Sequence, residues 1–139
     1  MADLSDRLLD QRLRNRVMEG LFGLADWKDS LEKVGFVEYF ETFFDVVPYE
    51  GPYPNATMSN AEGDALRKVH QVMVEACDAT PKTMSEASFI ASGWPQRIES
   101  IADEALRLML TRGRFSEERE EAAPTSDDGW PWRERYNRH

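Results

Sequence analysis

One cysteine and two histidines are all that this 139-residue chain holds of the residues most often used for redox chemistry and metal binding. Cys77 alone cannot close a disulfide within the chain, and it fits a reducing compartment. It reads as a small buried apolar side chain rather than a nucleophile. His70 and His139 lie far apart, and His70 has no carboxylate or thiol at ligand spacing with a second histidine to complete a site. No metal and no cofactor are therefore expected. The sequence also lacks Gly-x-Gly-x-x-Gly, Gly-Lys-Ser/Thr and Gly-x-Ser-x-Gly, the dinucleotide, phosphate-loop and serine-hydrolase patterns. No residue stands out as catalytic, and a non-catalytic protein is the expectation.

Long apolar runs are missing too, and none approaches the ~20 residues that span a bilayer. The first residues continue into an amphipathic pattern, without a basic stretch followed by an apolar one, so a secretory signal is not expected. With the lone cysteine, this points to the cytoplasm. Cations are in short supply: 17 Lys and Arg stand against 26 Asp and Glu, for a net charge of −9. That balance disfavours nucleic acid, whose phosphates need clustered Lys and Arg, and anionic membrane surfaces.

What is present is segregated charge. Residues 25–64 carry nine acids against two lysines, a net of −7, whereas residues 65–114 net +1. The same acidic stretch holds Trp27, Phe36, Tyr39, Phe40, Phe43, Phe44, Tyr49 and Tyr53, eight of the 15 aromatic residues. A localised acidic surface beside aromatics suits a basic protein partner.

The hydrophobic pattern predicts an all-α fold, a single small bundle of about five helices. The helical domain spans residues 3–115, and residues 116–139 form an acidic linker with a Trp/Arg-containing tail. In the first helix, over residues 3–24, Leu9, Leu13, Val17 and Leu21 form a stripe widened by Leu4, Leu8, Met18 and Phe22. Asp6, Arg7, Asp10, Arg12, Arg14 and Arg16 form its polar side. A short helix is expected from Asp26 to Val34, stopped by Gly35, and another over residues 36–46, where aromatic and β-branched residues leave a strand as the alternative. Residues 48–57 hold three prolines and a glycine, which makes them a loop. Ser59-Asn60-Ala61-Glu62 and Thr83-Met84-Ser85-Glu86 both match a capping box, and Pro95 suits a first helical turn. The Ser59 helix should bury Leu66, Val69, Met73 and Ala76. The Pro95 helix should bury Ile98, Ile101, Ala102, Ala105, Leu106 and Met109 and end at Gly113.

Glu38, Glu41 and Asp45 fall at i, i+3 and i+7, on one helical face, as either a solvated surface or a stripe for a basic partner. Tyr49, Glu50 and Tyr53 sit on the proline-stiffened loop, where the tyrosines either anchor an interface or fold over the core. Trp130 and Trp132, among the arginines of the tail, either dock back on the domain or bind a partner. The expected function is recognition of a basic protein surface, with Glu38, Glu41, Asp45 and Glu50 steering and Tyr49 and Tyr53 anchoring. An immunity-type inhibitor of a cationic toxin, of the bacterial kind, is the favoured form. The alternatives are a small acidic chaperone or adaptor for a secreted client, and a small-ligand-binding bundle with its pocket between the Ser59 and Pro95 helices.

Overall fold

The computed structural model describes residues 4–125, and within them the chain is all-α. Five helices follow one another: α1 (Asp6–Ala25), α2 (Trp27–Val46), α3 (Asn60–Ala79), α4 (Glu86–Ala91) and α5 (Trp94–Arg112). Helix α1 packs on α2 and α5, α5 on α3, and the short α4 against α2 and α5.

Local chemistry sets the helix boundaries. The Ser5 hydroxyl accepts from the Leu8 N–H at 3.1 Å and starts α1. Ser59 and Glu62 form the expected capping box on α3, with both reciprocal hydrogen bonds at 3.1 Å. The second expected box does not form, and the helix start moves to a plain cap two residues on. A turn closed from the Met84 N–H to the Pro81 carbonyl holds residues 81–84 outside the helix, and Ser85 caps α4 by accepting from Ser88. Pro95 lies in the first turn of α5, as its missing N–H allows. Gly113 ends α5 at φ 95°, ψ −162°.

The two helical segments expected on either side of Gly35 are both present and run on across a kink as the bent element α2. Gly35 sits at φ 80°, ψ 172°, a conformation open essentially to glycine, so it ends the helical geometry of the first segment, as expected, and the second starts after the kink. Residues 36–46 are helical, so the strand alternative falls away. Their rings build much of the core: Phe36, Tyr39 and Phe40 all contact Phe89 of α4, with centroids 5.4–6.0 Å apart. The expected core of α3 and α5 is buried, with Ile101 only partly so.

Helix α1 is turned relative to its sequence pattern. Leu9 and Leu13, expected in the core, are 41% and 37% exposed, whereas Gln11, Arg14 and Asn15 are fully buried. The reason lies in the chain beyond α5. Residues 113–122 run back along α1, and their backbone groups need hydrogen-bond partners that leucine cannot supply. Asn15 Nδ2 donates to the Phe115 carbonyl at 2.9 Å while its Oδ1 accepts from the Phe115 N–H at 3.2 Å. Gln11 donates to the Ser116 and Arg119 carbonyls and accepts from the Glu121 N–H at 2.7 Å. Arg7 donates to the Glu121 and Ala122 carbonyls, and Arg12 to that of Glu117. The start of the acidic segment is thus held by its main chain, not by its carboxylates alone.

Phe115 is buried where this segment meets the bundle, with the guanidinium groups of Arg7, Arg14 and Arg112 5.3–5.9 Å from its ring centre. Behind it lies a buried ionic cluster. Arg14 donates to both Glu62 oxygens, at 3.2 and 2.9 Å, and to the Gly113 and Met109 carbonyls. Arg112 also donates to both Glu62 oxygens, at 3.0 and 2.7 Å, and to the Thr57 carbonyl at 2.7 Å. Burial by itself pushes the Glu62 carboxyl up. The hydrogen bonds from Arg112 and Arg14, the Arg14 charge and the Ser59 N–H outweigh it and hold the carboxyl down at about 2.

Candidate interaction surface

Glu62 is one of the nine acids of residues 25–64, and its burial removes it from the outer surface. Asp29 pairs with Lys33 at 3.0 Å, and Asp64 pairs with Arg67. Asp26, Glu32, Glu38, Glu41, Asp45 and Glu50 have no basic partner among the described residues. Four of these six are the expected site acids.

The helix after the Gly35 kink places three of those acids together. With 3.6 residues per turn, Glu38, Glu41 and Asp45 fall within about 60° of one another around the axis. All three are exposed. The opposite side of the same segment is anchored by Phe36, Phe40 and Phe43 in the core, so the stripe's direction is fixed by aromatic burial. Their mutual repulsion, about 0.2–0.5 kcal/mol for a like-charge i,i+4 pair, is small beside that burial.

The loop after α2 is tied back to Phe44 and α3. Phe44, half-buried between the stripe and α3, carries the Tyr49 ring on one side (centroids 5.7 Å apart) and His70 on another (6.4 Å). The Tyr49 hydroxyl donates to Asp78 at 2.8 Å, which pushes its ionisation up. His70 Nε2 lies 2.8 Å from the Tyr49 carbonyl oxygen and 3.1 Å from that of Pro48, so this histidine ties the loop to α3. Glu50 is exposed beside Tyr49.

Tyr53 is separated from Tyr49. It is 67% exposed and lies with Pro52 and Pro54 over the N-terminal half of α3, near Gly63 and Arg67, and beside Leu13 of α1. The structure therefore groups Glu38, Glu41 and Asp45 on one helical face, sets Tyr49 against Phe44 and Asp78 with Glu50 exposed next to it, and places Tyr53 apart from both. Tyr49, although exposed, lies back against Phe44, whose ring packs on the core, and Tyr53 stands out further. Of the eight aromatics in the acidic stretch, only these two are exposed. Trp130 and Trp132 lie outside the described residues.

Two features escaped the sequence pattern. One is the Arg14–Glu62–Arg112 cluster, of which the capping box disclosed only Glu62. The other is a groove of ≈ 420 Å³ between α1 and α2, bounded by Gly20, Gly23, Leu24, Phe43 and Val46. The ligand-pocket alternative placed its cavity between α3 and α5, whereas those helices pack directly on each other. The glycine pair at i, i+3 near the end of α1 was the available signal for the groove.

Among the described residues, no group of three or more His, Cys, Asp or Glu side chains is placed to hold a metal ion. Cys77 is half-buried, and burial and the neighbouring Asp78 push its thiol up, against the opposing charge of Lys82. No described helix is long and apolar enough to cross a membrane. Compared with known protein families, curated proteins and solved structures, the chain matches none.

Proposed function

We propose that this chain is a non-catalytic binding protein that recognises a basic protein surface through the acidic face of α2 and the adjoining loop. The observation carrying this reading is that Glu38, Glu41 and Asp45 are exposed on one face of α2 and Glu50 is exposed on the loop after it, all four with no basic partner among the described residues. Carboxylates with no basic partner among the described residues can speed encounter with a cationic partner and fix its register. Tyr49, held by Asp78 and Phe44, offers a ring already ordered before contact, which lowers the entropy cost of using it as an anchor. The form we favour is an immunity-type inhibitor of a cationic toxin, acting in the cytoplasm by covering the toxin's basic surface.

A pull-down from the source organism's lysate, eluted with stepwise salt and identified by mass spectrometry, tests this. A basic protein retained at low salt and released as salt rises is the expected result. Retention only of clients that resist salt would favour the chaperone or adaptor reading instead.

A further inference from the structure

The groove between α1 and α2 borders the acidic stripe, and the two share a helix. Tyr39, Thr42, Phe43 and Val46 recur at i, i+3, i+4 and i+7 and turn one face of α2 into the groove wall. Thr42 is the wall residue nearest Glu38, Glu41 and Asp45 around the helix, so an apolar hollow and a row of carboxylates with no basic partner among the described residues run side by side. The opposite wall is low because α1 has glycine at positions 20 and 23. A Cβ at Gly20 would come no nearer than 4.0 Å to Phe43, and one at Gly23 no nearer than 3.8 Å to Ser30, so the hollow has room. Val34, 54% exposed, stands at the rim.

The charges on the rim select an occupant. Glu19 pairs with Arg114 at 3.2 Å and Asp29 with Lys33, so those acids are already answered. Arg16, on the α1 side, has no ion-pair partner among the described residues and would repel a cation there. Among the described residues, the α2 side offers the negative charge that has no basic partner. We propose that the groove receives the apolar face of a basic amphipathic segment, with its Lys or Arg edge lying over Glu38, Glu41 and Asp45. This rests on the reading that the acidic face binds a basic protein, and it names the part of the partner that is recognised.

The test uses two synthetic peptides of equal length and charge, one built of Leu and Lys in helical amphipathic order, the other with Ser replacing every Leu. Both are titrated into the 15N-labelled full chain. The Leu/Lys peptide should shift the amides of Gly20, Gly23 and Val46 together with those of Glu41 and Asp45. The Ser/Lys peptide should shift only the latter and bind at least tenfold more weakly. Gly23→Leu, filling the hollow, should bring the two affinities together. The wild-type shift map decides the matter even if that variant folds poorly. Equal affinities with unmoved groove amides would overturn the groove proposal and leave the acidic-face reading standing. So would shifts centred on the exposed Leu9 and Leu13. Absence of shifts at Glu41 and Asp45 with either peptide would overturn the acidic-face reading itself.

Discussion

Arg14 and Glu62, 48 residues apart in the chain, meet inside the bundle through two hydrogen bonds of 3.2 and 2.9 Å, both side chains at most 2% exposed. This pair ties the start of α3 to the middle of α1, and Arg112 adds the end of α5 to the same carboxylate. Removing Glu62 would strand Arg14 as a buried charge. Glu62→Ala should therefore lower stability by about 3–5 kcal/mol in urea unfolding. Arg112→Ala should cost less, because Arg112 is about one-third exposed and leaves Arg14 still paired.

The same cluster makes stability depend on acid in a definite direction. Glu62 ionises at about 2 in the folded protein against an ordinary value of 4.5. A depressed acid contributes stability that is fully present above the unfolded value and lost as pH falls towards the folded one. The urea midpoint of the wild type should fall between pH 4.5 and 2 more steeply than that of Glu62→Gln, which has no carboxyl to protonate there. Parallel curves for the two proteins would contradict the assignment.

The packing of residues 113–122 on α1 depends on amide side chains in particular. Gln11→Leu and Asn15→Leu preserve bulk but leave backbone groups of this segment without partners, at about 1–3 kcal/mol for each buried group. Limited proteolysis should cut between residues 116 and 122 faster in either variant than in the wild type. Unchanged cleavage would mean that the segment is held by Phe115 and the arginines alone.

Two glycines should answer the same substitution with opposite signs. Gly35→Ala forces a side chain into φ 80°, ψ 172° and should destabilise by about 1–3 kcal/mol, although the nearest atom, on Glu86, is 3.8 Å from the new Cβ. Gly63→Ala lies inside α3, meets only the flexible end of Arg67 at 3.6 Å, and should stabilise by about 0.5–1 kcal/mol. Thermal unfolding of the two variants reads both signs.

These variants also mark how far the sequence could be read. The period-3.6 stripes of α3 and α5 and the Ser59 box were legible because each helix buries an apolar face and starts with its own capping side chain. Helix α1 was legible as a helix but not in its orientation. Periodicity counts Leu9 and Leu13 as inside, whereas the demand for Gln11, Arg14 and Asn15 comes from a segment about a hundred residues later. The stripe of Glu38, Glu41 and Asp45 was legible because helical spacing alone puts them on one face. That they have no basic partner among the described residues, and that a groove runs beside them, depends on which side chains α1 and α3 bring near.

The acidic face is tested most directly by association kinetics with the basic protein captured by the wild type. Glu41→Lys with Asp45→Lys should slow association strongly at low salt and hardly at all at high salt, where exposed charges are screened beyond about 10 Å or less. Circular dichroism should show the fold intact, since both side chains are exposed. Association of the double variant at the wild-type rate in low salt would contradict the account.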